Sequence, residues 1–334
     1  DRLLDPRPTQ TPALRKGAPP VIAASTPVPT TGVPEKDTGR RRAGRRTAPL
    51  ERRTAHRGDR ASARPTRRHS VPSPLDLGRG RCEPSARLPG VTSSDIWDEA
   101  TAERYDEDAA EKFAPEVLDP TVDLLAELAR GGPALELAVG TGRVAIPLHA
   151  RGVPVVGIEL SAPMVDRMRA KAGAEGVRVV VGDMATTELD ETFSLVYLVW
   201  NSLSNLRTQQ EQVQCFRNAA RHLRPGGRFL VELWVPPLRR LPPGQTAVPF
   251  DVSEGHLGFD TYDLVTQECT SHHYHRREDG QVEYDAGHFR YAWPAELDLM
   301  AALAGLELES RWADWHRAPF TSESTDHVSV WRKP

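Results

Sequence analysis

The sequence predicts an α/β fold, a parallel sheet covered by helices on both faces, with an antiparallel hairpin inserted before its last helix. Three observations carry this. Short continuous apolar runs alternate with segments of helical spacing between residues 134 and 234, as strands buried on both faces require. Gly140-Thr141-Gly142 follows the first of those runs and Gly182-Asp183 closes the third. After Pro237 the alternation stops, and two long stretches rich in Thr, Tyr, Val and His take over.

The elements follow in order. Ser94 or Asp95 is placed to cap a short helix carrying Ile96, Trp97 and Tyr105. Asp119-Pro120 reads as the start of a second helix, on which Val122, Leu125, Leu128 and Ala129 recur at helical spacing before Gly131-Gly132. Residues 134–139 form the first strand, followed by Gly140-Thr141-Gly142 and a helix through Leu148 with a kink at Pro147. Residues 154–160 are the second strand and 161–172 a helix begun by Ser161. Residues 177–181 are the third strand, ended by Gly182-Asp183, and 193–200 the fourth. Thr208 and Glu211 make a capping box for a helix through Leu223, the turn 224–227 follows, and 228–234 is the fifth strand. Stretches 259–275 and 281–293 form a hairpin around Asp279-Gly280. A helix over 294–304 and strands over 306–316 and 327–331 complete the chain.

The net charge of −3 hides two unlike parts. Residues 1–90 hold 20 of the 43 Lys+Arg but 8 of the 46 Asp+Glu, a local charge of +12, which leaves −15 on the remainder. None of the 21 Phe, Trp and Tyr precedes Trp97, whereas 14 of the 29 prolines do. Such a segment buries too little apolar surface to offset its chain entropy, so 1–90 is expected to be a disordered Arg/Pro-rich extension. A dispensable extension ranks ahead of a targeting leader, and both rank ahead of a nucleic-acid arm built on Arg40-Arg41-Arg42 and the later arginine pairs. No apolar run reaches about 18 residues, which argues against a membrane span. Cys82, Cys215 and Cys269 are scattered, with no C-x-x-C, which argues against a disulfide framework or a structural zinc and fits a reducing, cytoplasmic setting.

In open parallel sheets ligands bind beyond the carboxyl ends of the strands. Three acidic residues stand at or near three such ends: Glu136 before the glycine loop, Glu159 after the second strand, and Asp183 after the third. Glycines let backbone approach a ligand, Glu159 is placed to accept from ribose hydroxyls, and Asp183 to accept from an adenine amine. Met164, one turn into the next helix, is a candidate adenine contact.

On these residues the chain resembles the class I S-adenosylmethionine-dependent methyltransferases, over roughly 94–334. The acid-x-Gly-x-Gly-x-Gly motif is met by Glu136, Ala138, Gly140 and Gly142, with alanine where the family has its first glycine. Glu159, Gly182-Asp183-Met184, Trp200-Asn201 and the Leu223-Arg-Pro-Gly-Gly227 turn match the later motifs. If position 138 needs positive φ, alanine is strained there. The resemblance implies a Rossmann-like, doubly wound seven-stranded sheet whose last strand is antiparallel. It also implies S-adenosyl-L-methionine as cofactor and methyl transfer to a small-molecule N or O acceptor. The methyltransferase domain is then 91–249 plus 294–334, and 250–293 is an inserted hairpin cap. That hairpin and the Tyr105 region are expected to cover the active site, with a homodimer through the hairpin's edge as the competing role.

Tyr105, from the region expected to cover the active site, and His316 are the catalytic candidates; His316, with His288 beside it, is named because a hydroxyl acceptor needs a base. Trp234, Tyr291 and Trp293, together with Trp312 and Trp315, are candidates for an aromatic acceptor pocket. His273 and His275 share one strand face, but no third ligand of matching spacing is evident, and no metal is expected. Two other readings stay open: an NAD(P)-dependent oxidoreductase on a similar fold, and a non-catalytic cofactor-binding protein. A thermal shift with S-adenosylhomocysteine rather than NAD(P)H separates the first from methyl transfer, and turnover separates the second.

Overall fold

The computed structural model describes residues 97–277 and 279–334. The expected extension 1–90, the caps at Ser94 or Asp95, Ile96 and Cys82 lie outside those residues. Asp98 caps α1 (Glu99–Asp108), its Oδ1 accepting the Thr101 N–H at 2.8 Å, so Trp97 precedes the helix rather than lying on it. Next, α2 (Pro115–Ala129) starts earlier than Asp119-Pro120 suggests, because Pro115 already supplies a preset φ in the first turn. Pro120 is carried inside the helix, whose buried face of Val122, Leu124, Leu125 and Leu128 outweighs the lost hydrogen bond.

The chain then runs through β1 (Ala134–Leu137), α3 (Ala145–Ala150), β2 (Val155–Glu159), α4 (Ala162–Arg169), β3 (Arg178–Val181) and β4 (Phe193–Leu198). It continues into α5 (Gln209–His222) and β5 (Leu223–Trp234). Ser161 caps α4, and Thr208 with Glu211 forms the expected capping box on α5. β5 begins five residues before the expected start at Arg228, running through Pro225-Gly226-Gly227 with a register shift against β4. Lys333 Nζ donates to the Ala220 and Leu223 carbonyls at 2.8 and 2.7 Å, placing a cation at the end of α5.

Four antiparallel strands follow: β6 (Ala247–Val252), β7 (His256–Tyr262), β8 (Glu268–Arg276) and β9 (Val282–Arg290). The insertion is thus a four-stranded meander rather than a single hairpin. The stretch 259–275 is broken at Asp263, whose Oδ1 accepts from the Val265 and Thr266 amides, with Gln267 at φ 62°. β6 contains Pro249, which an edge strand tolerates because one side of it needs no ladder donor. The expected turn at Gly280 is present, at φ 83°. Finally come α6 (Pro294–Leu303), β10 (Glu307–Trp312) and β11 (Asp326–Arg332).

The main sheet has seven strands in the order β10-β11-β5-β4-β1-β2-β3. β11, the last strand, is antiparallel to both β5 and β10, and the remaining pairs are parallel. Every residue of β1 and β4 is buried, as central strands covered on both faces must be. One face packs on α5 and α6, where Phe216, Phe229 and Trp331 meet edge to face or tilted. The other packs on α2 and α3 through Leu125, Leu148, Leu195 and Leu230. Strand order reverses between β1 and β4, so the loops after these strands flank the switch point. Among the described residues no helix is long and apolar enough to cross a membrane.

Candidate active site

The loop after β1 turns through three left-handed residues: Ala138 at φ 56°, Gly140 at 57° and Gly142 at 79°. Gly140 has open space where a side chain would stand. A Cβ on Gly142 would lie 2.8 Å from Met168 Cγ, so here glycine serves both backbone and packing. Ala138 is in the strained conformation that only glycine adopts without cost. Opposite effects are therefore expected from two small changes in one loop. Ala138→Gly should leave stability unchanged or raise it by up to about 1 kcal/mol, strain relief exceeding the added unfolded-state entropy. Gly142→Ala should lower it by about 1–3 kcal/mol. Urea unfolding midpoints check both signs.

Glu159 closes the loop from the side. Its Oε2 accepts the Gly140 N–H at 2.8 Å and its Oε1 the Ser161 N–H at 2.9 Å. Burial pushes its pKa up, against those backbone hydrogen bonds. The Leu160 N–H also acts on this carboxylate, so at least one of its about four acceptor positions remains for a hydroxyl donor. A pocket opens beside it, walled by Trp97, Ala138, Leu160, Asp183, Met184 and Leu206. Asp183 Oδ1 accepts the Ala185 N–H at 2.6 Å, and Asn218 holds the same loop by donating to the Met184 carbonyl at 3.0 Å. Met164 is buried at the start of α4 and is not among the pocket's lining residues.

Glu136 lies beneath the loop, fully enclosed, with the Tyr197 hydroxyl donating to its Oε2 at 2.8 Å. Burial pushes its pKa up to about 8 from the ordinary 4.5, although the Tyr197 hydrogen bond and Arg143 oppose the shift. A carboxyl whose folded pKa is raised contributes stability that is complete at low pH and lost as pH climbs through that pKa. Glu136→Gln, which keeps an acceptor for Tyr197, should therefore match the parent near pH 4, below the ordinary carboxyl pKa. It should melt progressively higher than the parent as pH rises to about 8, and the gap should hold level above that. Paired thermal melts of the apo protein across that range test this, and a constant gap would refute it.

Helix α1 is pinned over the loop. Asp106 accepts from the Thr141 hydroxyl at 2.6 Å and pairs with Lys171 at 2.5 Å, while Lys171 also donates to the Thr141 carbonyl at 2.8 Å. Ser161 Oγ donates to the Trp97 carbonyl at 2.6 Å, and Arg167 to the Glu103 carbonyl at 2.9 Å. Tyr105 is thereby held against Trp200, ring centroids 5.7 Å apart, and Arg143 stacks on the other partner of that pair, 4.8 Å from the Trp200 ring. Burial pushes the Tyr105 phenol well above its ordinary pKa, so it remains a proton donor and is unsuited to act as a base.

Trp200 and Asn201 follow β4 in consecutive left-handed conformations, φ 52° and 60°. Two hydrogen bonds from β5 hold them: the Trp200 N–H donates to Glu232 Oε2, and Asn201 Oδ1 accepts the Trp234 N–H, both at 2.7 Å. Glu232 Oε1 accepts from the Trp315 indole at 2.8 Å. His316 itself is exposed on the turn after β10, and its neighbour Trp315 is the residue that reaches inward. His288 is exposed on β9, its Nδ1 3.1 Å from Thr270 Oγ1.

Of the aromatic candidates, Trp234 and Tyr291 are buried in the core that joins the two sheets, packed edge-to-face or tilted with Tyr262 at centroid distances of 5.9–6.4 Å. Trp293 is exposed beside Tyr291. Packing between sheets accounts for the first two. Sequence reasoning did not assign Trp97, Arg143, Glu232 or the Asp106–Lys171 latch. Only Arg143 carried a signal, as the residue directly after the glycine motif.

The methyltransferase-domain family matches residues 134–227, the stretch from β1 to the turn inside β5. The CcbJ methyltransferase from Streptomyces caelestis is 39% identical, covering 64% of this chain and 88% of that one with a TM-score of 0.59. The cypemycin N-terminal methyltransferase of a Streptomyces species is 27% identical over 252 residues, 72% of this chain and 98% of that protein. The dTDP-4-amino-2,3,4,6-tetradeoxy-D-glucose N,N-dimethyltransferase of Saccharopolyspora spinosa is 33% identical over 100 residues, 30% of this chain and 39% of that protein. Strand order, glycine loop and these relatives define a methyl-transferring enzyme. The chain belongs to the class I S-adenosylmethionine-dependent methyltransferases, which sets the nicotinamide reading aside. The open space at Gly140 and the acceptor carboxylates of Glu159 and Asp183 fit the nucleoside half of that cofactor.

Proposed function

We propose that this enzyme methylates an amine nitrogen of a small-molecule acceptor. When bound, S-adenosylmethionine supplies a methyl group on a sulfonium sulphur. In this reading Glu159 accepts from the ribose hydroxyls, Asp183 from the adenine amino group, and Met184 and Leu160 cover the base. Gly140 and Gly142 shape the loop that lets the backbone approach, and Trp200 with Tyr105 borders the acceptor side. The protein's contribution is alignment, since holding nucleophile, carbon and leaving group in line is worth roughly 7–11 kcal/mol of a barrier.

One observation carries the choice of nitrogen over oxygen: none of the histidine or tyrosine candidates is placed or protonated to act as a base. Among the described residues no histidine lines the pocket, His316 and His288 are exposed, and Tyr105 is held protonated. A hydroxyl acceptor needs proton removal in the transition state, whereas an amine can enter already deprotonated. The N-methyltransferase relatives support the same reading. The test is transfer of isotopically labelled methyl to paired amine and hydroxyl acceptors on otherwise identical amino sugars and amino-terminal peptides. N-methyl products are expected, and exclusive O-methylation would overturn the reading.

The β6–β9 sheet is the second part of the proposal: it governs acceptor choice and adds little to cofactor affinity. It follows β5, whose carboxyl end carries Trp234, and it bears the exposed Tyr284 on a strand with many polar side chains.

A further inference from the structure

The histidines of the small sheet form a group that methyl transfer does not use. His273 and His275 project from one face of β8, and β7 brings His256 opposite His275 in the antiparallel register. This is the third residue that linear spacing did not reveal, since it lies 17 positions before His273 and meets it only through strand pairing. One ligand nitrogen from each of the three lies within 4.8 Å of the others.

The surroundings sort the nitrogens. His256 Nδ1 lies 2.6 Å from Asp251 Oδ2 on β6, which fixes that nitrogen as the protonated one and turns Nε2 inward. His273 Nε2 lies 3.2 Å from Ser271 Oγ, which leaves Nδ1 inward. The inward pair, His256 Nε2 and His273 Nδ1, stands 3.1 Å apart. Two imidazoles on one tetrahedral zinc, with bonds of about 2.0–2.1 Å, have nitrogens about 3.3 Å apart. His275 Nε2 is buried with no hydrogen-bond partner. An orphaned buried nitrogen is costly unless a ligand satisfies it. We propose that His256, His273 and His275 form a binding site for a divalent transition metal of the zinc type.

Three neutral imidazoles suit zinc, copper or nickel over magnesium or calcium, which take oxygen ligands. The rings stack nearly parallel, His256 on His275 at 4.4 Å between centroids, so closure on an ion requires the half-buried His275 ring to rotate. Asp251 then has the outer role that carboxylates take behind metal-bound histidines, orienting His256 and raising its basicity. Because Asp251, His256 and the β8 pair belong to three neighbouring strands, the ion ties β6, β7 and β8 together. The site lies on a different sheet from the donor loop, and none of its residues lines the pocket.

The test uses the untagged full-length protein, stripped with chelator and titrated with Zn2+ alone by calorimetry and by thermal melts. One ion per chain is expected, with dissociation constant at or below the micromolar range and a rise in melting temperature. His256→Gln and His275→Gln, both at partly exposed positions, should each weaken binding at least tenfold while circular dichroism and S-adenosylhomocysteine affinity stay unchanged. Asp251→Asn should weaken it about tenfold or more, as loss of an outer carboxylate does. Co2+ in the same protein should give the intense visible absorption of a four-coordinate ion. No bound zinc, equal affinity in the histidine variants, or the weak absorption of six-coordinate cobalt would each overturn the site.

Discussion

Glu159→Ala is expected to weaken binding of S-adenosylmethionine and S-adenosylhomocysteine by ten- to a hundredfold while the protein stays folded. The carboxylate ends β2 with only 7% of its surface exposed, and two of its acceptor positions already hold Gly140 and Ser161. Hydrogen bonds to a charged group contribute about 1.5–3 kcal/mol, and each 1.4 kcal/mol is a factor of ten. Alanine removes the acceptors that remain for ribose and also releases the Gly140 amide, so the loop loses its lateral tie. Glu159→Gln separates the two effects. Its single carbonyl can keep one backbone donor, but its NH2 faces the other, so the loop is partly held while the charge is gone. Calorimetric titration with S-adenosylhomocysteine reads both variants, and an unchanged dissociation constant in a folded Glu159→Ala protein would refute the assignment.

The part of this site legible in the sequence is the part written locally. Glycines spaced by two after an apolar run, an acid closing the next strand and Gly-Asp closing the third are signals within single segments, and all of them line one sheet edge. The same holds for the capping box at Thr208 and Glu211, where both partners sit within one turn. What escaped the reading depends on contacts between distant segments. Asp263 makes a turn with no Gly or Pro, because its side chain replaces the backbone acceptor, so two strands look like one. β6 was missed because Pro249 argues against a strand everywhere except at an edge. The conformation of Ala138 runs against its own preference, and only the surrounding packing imposes it. Asp106 reaches Thr141 across 35 positions and Trp315 reaches Glu232 across 83, distances at which sequence spacing has no meaning.

The larger stability effect is expected at Arg290, where the small sheet is fastened to the main one. The guanidinium is buried at the end of β9. It donates to Gln212 Oε1 on α5 at 2.5 Å, to Gln267 Oε1 at 2.9 Å and to Glu296 Oε1 on α6 at 2.8 Å. Gln267 and Gln209 donate to the same Glu296 carboxylate at 2.7 and 2.8 Å, and Gln212 returns a hydrogen bond to the Arg290 carbonyl at 3.1 Å. Burial pushes the Glu296 pKa up, but the hydrogen bonds from Gln267, Arg290 and Gln209 outweigh it and hold the carboxyl below its ordinary range. Arg290→Ala removes the cation and leaves Glu296 and Gln212 with unmet acceptors in a water-poor junction. Breaking one partner of a buried ion pair costs about 3–5 kcal/mol. Replacing both charges together, as in Arg290→Met with Glu296→Gln, removes the stranded charge and should recover most of that loss. Urea unfolding of the three proteins measures the cycle, and limited proteolysis between residues 247 and 290 reports whether the small sheet opens first. A single-mutant cost below 1 kcal/mol, or a double mutant no better than the single, would show that the aromatic packing of Trp234, Tyr262 and Tyr291 holds the two sheets together unaided.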